Sequence, residues 1–239
     1  MEKIYVIFGA TGGIGSALAN LLSKGEKKVY LLGRNEEKLH ALSLQLSAPY
    51  LLVDAVEETS VAQILSKIIS YEGRIDGVAS LIGSVFLKPL HLTTQKEFEE
   101  VLKINTVSSF CILKHALHVM QSGSIVLSSS TASLIGMSHH EAITAAKAGV
   151  NGLMQSAAAS YASKQIRINA VAPGLTRTSQ TEFITKNETP LKASIKLHPL
   201  GRIAEPVEIA SVIAWLLSDE SSFITGSVIP VDGGLSSLK

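Results

Sequence analysis

The stretch Gly9-Ala10-Thr11-Gly12-Gly13-Ile14-Gly15 directly follows the apolar run Ile4–Phe8 and decides the fold. Glycines let a backbone turn tightly and approach a bound group, and the free amides at a helix start attract negative charge. A strand, a glycine-rich turn and a helix in this order are typical of the first unit of a dinucleotide-binding sheet. We therefore predict that a pyrophosphate is held by Gly9, Thr11, Gly12, Gly13, Ile14 and Gly15.

Similar apolar runs recur along the whole chain and alternate with stretches of helical periodicity, a pattern that predicts repeated βαβ units. The runs are nearly continuous in apolar residues, as expected for strands covered on both faces. They are Ile4–Phe8, Val29–Leu32, Tyr50–Val53, Val78–Ile82, Ser124–Ser128, Ile166–Ala172 and Val228–Val231. We predict an α/β fold with residues 1–239 in a single domain: a doubly wound parallel sheet of about seven strands, with helices on both faces.

Two further segments stand out in this pattern. Pro206–Leu217 begins with proline and keeps apolar residues at helical spacing, so it predicts a late helix. Residues 176–199 contain polar residues, Pro190, Pro199 and short apolar clusters, which fit neither a strand nor a buried helix. We expect this segment to be a lid over a substrate.

Composition narrows the classes of partner. The 239 residues are 46% hydrophobic, with a formal net charge of +1 and Lys and Arg scattered along the chain. The chain has no cluster of basic residues of the kind that binds nucleic acid or an anionic membrane. We therefore expect a small, roughly neutral ligand. Ile4–Phe8 is too short to span a membrane. Cys111 is the single cysteine, so no disulfide forms within the chain, and we expect a cytoplasmic protein.

The end of the second predicted strand bears on the choice of nucleotide. NAD enzymes typically place an acidic residue there for the ribose 2′-hydroxyl, whereas this chain has Gly33, Arg34 and Asn35. A guanidinium suits a 2′-phosphate, so we predict NADP(H) in preference to NAD(H), which stays possible. Arg34 could instead be a solvated turn residue. Asp54 could accept a hydrogen bond from the adenine amino group, or cap a helix that starts near Val56.

Later motifs extend the pattern over essentially the whole chain: Asn105, Ser130, Lys147, Asn169–Gly174, Pro199–Arg202, Ile224–Gly226 and Val231–Gly234. With the glycine turn they resemble the short-chain dehydrogenase/reductase family, most closely its 3-oxoacyl-acyl-carrier-protein reductase branch. The resemblance implies that Ser130 binds the substrate carbonyl, that Lys147 grips the nicotinamide ribose and that Asn105 holds a water chain. It also places against the cofactor Gly83, Lys147, Pro173, Gly174, Thr176 and Thr178.

The chain departs from the family at the catalytic tyrosine, which belongs four residues before the lysine. Ile143 occupies that position. Isoleucine has no ionisable proton, and a positioned general acid contributes roughly 10²- to 10⁴-fold in rate, so an unmodified family mechanism is excluded. A second departure is Ser80-Leu81-Ile82-Gly83, where the family has Asn-Asn-Ala-Gly and only the glycine persists.

His140 is the residue best placed to replace the tyrosine as proton donor. It lies about one helical turn before Ile143, and an imidazole titrates near neutral pH. His139 and Glu141 are alternatives, and the whole run could simply be the polar entry to a helix. We expect no metal here, because adjacent side chains diverge. Ser130 and Asn105 could likewise do no more than bond to the backbone.

Two functions therefore remain open. One is an NADPH-dependent reductase of a small-molecule carbonyl substrate, an acyl thioester among the options, with a non-standard acid or a substrate that needs none. The other is an NADP(H)-binding protein without turnover, acting as a sensor or partner subunit. Family members assemble as tetramers or dimers through the helices of Asn105 and Lys147 and the last strand. The resemblance thus implies a homotetramer or homodimer, which small side chains at Ala145, Ala146 and 157–159 would permit.

Overall fold

Seven parallel strands form one sheet in a computed structural model, which describes residues 2–25 and 27–238. Across the sheet the strands follow the order β3-β2-β1-β4-β5-β6-β7, so the direction of winding reverses between β1 and β4. The strands are β1 (Lys3–Phe8), β2 (Lys27–Gly33), β3 (Tyr50–Leu52), β4 (Gly77–Ser80), β5 (Gly123–Ser128), β6 (Ile166–Pro173) and β7 (Val228–Val231). The predicted doubly wound α/β fold is confirmed.

Helices connect the strands, and Pro206–Leu217 is helical with the bounds that the sequence predicted. The helices are α1 (Gly13–Leu22), α2 (Glu36–Leu46), α3 (Glu58–Glu72), α4 (Gln95–Leu102), α5 (Ser108–Val119), α6 (Glu141–Tyr161), α7 (Glu182–Thr185), α8 (Glu188–Leu197) and α9 (Pro206–Leu217). A π-helical segment, Lys103–Val107, joins α4 to α5. Within the described residues, no helix combines the length and the apolar character that a membrane crossing requires.

The sheet is buried on both faces, which explains the continuous apolar runs. Successive side chains of a strand point to opposite faces. In β1, Val6 and Phe8 pack with α3, α5 and α6, whereas Tyr5 and Ile7 pack with α1, α2 and α9. Two apolar layers therefore hold the carboxyl ends of the strands at one edge of the sheet, where the connecting turns build the site.

The predicted fourth strand was too long. It was expected to reach Ile82, but β4 ends at Ser80. Its neighbour β1 ends at Phe8, where Gly9 turns the chain with φ +82°, and the last bond between the two strands runs from the Leu81 amide to the Phe8 carbonyl at 3.0 Å. Because the partner strand turns away, Leu81 and Ile82 leave the sheet and face the cavity described below.

The segment 176–199 contains the short helices α7 and α8. No residue of α8 is buried, which agrees with the expectation that this segment holds neither a strand nor a buried helix. Its first residues are attached to the chain before α9, since Thr176 bridges to Ala204 and the Arg177 amide donates to the Ala204 carbonyl at 2.9 Å. The segment therefore forms an outer wall of the site.

Candidate active site

One cavity of about 1230 Å³ lies along the carboxyl edge of the sheet. Its walls come from the turns that follow the first six strands, together with α8. The residues that the sequence assigned to the cofactor all line it: Gly9, Thr11, Gly12, Gly13, Ile14, Gly15, Arg34, Asn35, Asp54, Gly83, Lys147, Pro173, Gly174, Thr176 and Thr178.

The glycine turn has the form that a diphosphate requires. A Cβ on Gly15 would lie 2.1 Å from the Gly9 carbonyl oxygen, so only glycine lets α1 start this close to the strand. Helix α1 begins at Gly13, and its first turn has neither a capping side chain nor an acidic residue. The first amides of a helix have no partner inside it. They therefore face the cavity ready to receive an anion, and the turn fits the pyrophosphate of a nicotinamide dinucleotide.

Two cations border the cavity at the end of β2. Arg34 is exposed and makes no ion pair with any described residue, and Lys38, one helical turn later, lines the cavity beside it. Lys38 was missed in the sequence, because its place beside Arg34 depends on where α2 begins. Asn35 caps α2, because its side-chain oxygen accepts from the Lys38 amide at 2.8 Å.

Asp54 does not cap a helix. The capping alternative assumed a helix near Val56, but α3 begins at Glu58 and Glu57 stands at its cap. Asp54 instead closes a local turn, where its Oδ1 accepts from the Val56 amide at 3.3 Å. The carboxylate stays half-buried on the cavity wall, on the same side as Arg34.

Lys147 and Ser130 both line the cavity at the carboxyl end of β5. The Lys147 side chain is buried, its Nζ donates to the Ser128 carbonyl at 2.8 Å, and burial lowers its pKa to about 8. The Ser130 hydroxyl oxygen accepts a hydrogen bond from the Ala132 amide at 3.2 Å. As an acceptor, Ser130 therefore bonds to the backbone, as the alternative interpretation expected. Its proton has no acceptor among the described residues and stays available to a ligand in the cavity.

Ile143 lies one helical turn before Lys147 on the cavity wall. It is only 5% exposed and packs in an apolar cluster with Val101, Ala142 and Ala146. Phe86 and Phe98 pack against the same cluster. The side chain at this position therefore serves as part of a hydrophobic wall, with no polar atom to offer.

Asn105 lies behind the wall rather than on it. Its side chain is fully buried in the π-helical segment, where Nδ2 donates to the Val101 carbonyl at 2.9 Å and to Ser84 Oγ at 3.0 Å. Its Oδ1 accepts from the Ser84 amide at 3.2 Å. The backbone-bonding alternative thus describes this side chain, which supports the turn after β4. A Cβ on Gly83 would lie 3.0 Å from Asn105 Oδ1 and 3.1 Å from Lys147 Nζ.

His140 is half-buried on the cavity wall at the start of α6. Its Nδ1 lies 2.7 Å from the Ser138 carbonyl oxygen, so this nitrogen carries a hydrogen and Nε2 is free for a ligand. His139 also lines the cavity, with a positive φ of 65°. Glu141 is exposed in the first turn of α6, where its charge suits the helix start. Glu141 does not line the cavity, which leaves the two histidines as its titratable groups here.

The far end of the cavity is apolar and was not predicted residue by residue. It is lined by Val85, Leu87, Met137, Ile184, Pro190 and Leu197. The charged side chains on the described cavity wall are Arg34, Lys38, Asp54 and Lys147, and the first three lie at the opposite end. No group of three or more His, Cys, Asp or Glu among residues 2–25 and 27–238 could hold a metal ion.

Comparisons with known proteins agree over the full length. A family model described as enoyl-(acyl carrier protein) reductase matches residues 9–236. A cis-4-hydroxycyclohexanecarboxylate dehydrogenase of Sinomonas cyclohexanicum is 34% identical, covering 99% of this chain and 98% of that protein. A 3-oxoacyl-acyl-carrier-protein reductase of Thermotoga maritima is 32% identical, covering 98% and 97%. The solved structure of ElxO with NADP bound is 30% identical, with a TM-score of 0.93 and coverage of 99% and 100%.

Proposed function

The chain belongs to the short-chain dehydrogenase/reductase family of oxidoreductases, and from this premise we propose that it is an NADP(H)-dependent reductase of a neutral, largely apolar carbonyl compound. The observation that carries the proposal is a single cavity that joins an anion-binding glycine turn, two free cations, and the pair Ser130 and Lys147. Residues 1–239 act as one domain in this proposal, with 176–199 as the lid over the substrate.

The cations Arg34 and Lys38 support NADP(H) over NAD(H). Both are exposed at the carboxyl end of β2, and Gly33 leaves no carboxylate there to take up the two ribose hydroxyls. A 2′-phosphate would gain two charge-assisted contacts from the guanidinium and the ammonium. The relative solved with NADP bound is consistent with this preference.

When bound, NADPH would supply the hydride that goes to the carbonyl carbon. In our proposal the Ser130 hydroxyl, whose proton is unused, donates to the carbonyl oxygen. The Lys147 ammonium would hold the nicotinamide ribose and supply positive charge to the site. His140, as an imidazolium with hydrogens on both ring nitrogens, would give the Nε2 proton to the oxygen and become the neutral ring that still donates from Nδ1 to Ser138, which balances the reduction to an alcohol.

The apolar end of the cavity supports a neutral substrate. A carboxylate or phosphate there would be desolvated without a fixed cation, which is costly. Cyclic and alicyclic ketones meet this requirement, and so does the reacting part of an acyl thioester. Of the two relatives with named substrates, one is named for an alicyclic alcohol that carries a carboxylate and the other for a 3-oxoacyl group on acyl carrier protein.

Calorimetry with NADPH and NADH, followed by NADPH oxidation at 340 nm, tests the proposal. The substrates are neutral cyclic ketones, diketones and short 3-oxoacyl thioesters. We expect NADPH to bind ~100-fold more tightly than NADH, because NADH lacks two charge-assisted contacts of about 1.4 kcal/mol each. His140→Gln should lower kcat about 100-fold, with His139→Gln as the matched control. Absence of binding by either nucleotide would refute the proposal.

A second function, cofactor binding without turnover, is favoured by one observation. Ile143 is packed into an apolar cluster at the position where the family places its acid. A protein of this kind would act as a sensor or as a partner subunit. It predicts tight NADPH binding with no oxidation on any substrate in the panel.

We further propose assembly as a homotetramer, or failing that a homodimer, through α5, α6 and β7. Ala145 and Ala159 are exposed and leave α6 open to close approach, whereas Ala146 and Ala158 are buried within the subunit. Phe110 of α5 is also 42% exposed. Sedimentation velocity at micromolar concentration should give a tetramer or dimer, and a monomer would contradict the proposal.

A further inference from the structure

His198 is a buried histidine at the carboxyl end of α8 that plays no part in the chemistry proposed above. Its side chain lies between two backbone groups that are far apart in sequence. Nδ1 lies 2.7 Å from the Ser194 carbonyl oxygen, and Nε2 lies 3.2 Å from the Leu175 amide nitrogen. An amide can only donate, so Nε2 accepts and carries no hydrogen. The ring is therefore neutral, with its hydrogen on Nδ1 donated to Ser194.

The backbone of the turn after β6 approaches this ring closely, although His198 also borders the cavity. A Cβ on Gly174 would lie 2.7 Å from His198 Nε2 and 2.9 Å from the Asp232 Cα. Gly174 is thus the residue type that lets the imidazole reach the backbone of the turn after β6. The exposure of His198 is 5%, although every residue of the preceding α8 is at least partly exposed. The His198 ring is therefore the buried side chain through which α8, which has no buried residue of its own, is bonded to the rest of the domain.

The two backbone groups bonded by His198 belong to two different walls of the cavity. Ser194 lies in α8, which supplies Pro190, Ala193 and Leu197 to the apolar end. Leu175 lies between Gly174 and Thr176, in the turn assigned to the cofactor. The imidazole of His198 therefore links α8, on the substrate side of the cavity, to the turn Gly174–Thr176, on the cofactor side.

We propose that His198 is a positioning residue that fixes α8 against the turn Gly174–Thr176 and so sets the width of the substrate end of the cavity. In this proposal His198 acts through the two backbone segments that it bonds, and not as a group that reacts with substrate or cofactor. That the cavity takes a carbonyl substrate rests on the proposed function, whereas the attachment of α8 does not.

The two hydrogen bonds can be removed separately. The amide oxygen of a glutamine reaches the place of Nε2, so His198→Gln keeps an acceptor for the Leu175 amide. The amide nitrogen of an asparagine reaches the place of Nδ1, so His198→Asn keeps the donor to Ser194 and loses the link to Leu175. His198→Leu keeps bulk and loses both bonds. His91→Asn, at an exposed histidine, is the matched control.

Native-state trypsin cleavage measures how firmly α8 is held, and it needs no carbonyl substrate. Trypsin can cut there because Lys186, Lys192 and Lys196 are exposed in or next to α8. Cleavage of a folded helix follows its local opening. We expect cleavage after these lysines to be at least ~5-fold faster in His198→Asn and His198→Leu, but within about 2-fold of the parent in His198→Gln and His91→Asn. The melting temperature of each variant is measured as well, so that local opening of α8 can be distinguished from global unfolding.

Steady-state kinetics supply the second readout. His198→Asn should raise KM for the carbonyl substrate about 10-fold, with kcat and the NADPH dissociation constant within about 3-fold of the parent, and His198→Gln should restore KM. Equal cleavage rates in His198→Asn and His198→Gln at unchanged melting temperature would overturn the proposal. If no substrate is turned over while the cleavage pattern holds, the proposed function fails and the positioning role stands.

Discussion

The Lys147 ammonium donates to the Ser128 carbonyl oxygen at 2.8 Å, and no carboxylate of the described chain pairs with it. A buried charge with one neutral partner is costly to the folded state. The same arrangement keeps a positive charge at the carboxyl end of β5, on the wall of the cavity that Ser130 also lines. Stability and function therefore make opposite demands on this residue.

Replacing Lys147 by methionine should stabilise the fold and damage the site. Burial lowers the lysine pKa from 10.5 to about 8, so at pH 7 the folded state holds an unfavourable charge. The parent gains stability between pH 8 and 10.5, where the folded state has released a proton that the unfolded state retains. Urea denaturation should show Lys147→Met more stable at pH 7, by at most about 3 kcal/mol, with a smaller advantage at pH 10. A pH-independent loss of stability would contradict this.

Restoring a tyrosine at Ile143 tests whether the scaffold can catalyse. The side chain lies on the cavity wall one turn before Lys147, so a phenol there would supply an ionisable proton. Ile143→Tyr should raise kcat for NADPH oxidation roughly 100-fold over the parent. Ile143→Phe introduces the same ring without the hydroxyl and should leave kcat for NADPH oxidation unchanged. Equal rates in the two variants would show that the proton of the phenol is irrelevant.

Removing the cations at the end of β2 should change nucleotide preference. Arg34→Ala and Lys38→Ala should each weaken NADPH binding about 10-fold and leave NADH binding unchanged, because only NADPH carries the 2′-phosphate. Calorimetry at two salt concentrations measures both effects, and the loss should shrink at high salt. Lys67→Ala, at an exposed lysine of α3, is the control. A parallel loss for both nucleotides would contradict the assignment.

A methyl group at Gly15 should be tolerated by neither the fold nor the site. Its Cβ would stand 2.1 Å from the Gly9 carbonyl oxygen, so the start of α1 must move away from the strand. Gly15→Ala should cost about 1–3 kcal/mol in the free energy of unfolding and abolish NADPH binding. Gly136→Ala, where an added Cβ meets no atom within 4 Å, should change neither. Retained NADPH affinity in Gly15→Ala would contradict the role of this turn.

The central strands were predictable because each is buried on both faces and therefore reads as one apolar run. The exception is instructive: Leu81 and Ile82 continue the run of β4, but the partner strand ends at Phe8 and the sheet stops with it. A single strand's sequence carries no record of where its neighbour ends.

The site residues were found where a motif fixes them and missed where only a distant contact defines them. Ser130 and Lys147 follow from the family pattern, and both line the cavity. Asn105 follows from the same pattern, but its bonds to Ser84, 21 residues away, depend on how a π-helical segment meets the turn after β4. His198 bonds a backbone 23 residues away, and no local spacing marks such a residue.

The strand order has a consequence for synthesis of the chain. Because β4 lies beside β1 across the reversal of the sheet, the first three strands leave the ribosome with β1 as an open edge, although five of its six residues end up buried. Unpaired apolar edges of this kind invite aggregation. The nucleotide site is still incomplete in this nascent intermediate, because the turns after β4, β5 and β6 that complete the cavity are translated later.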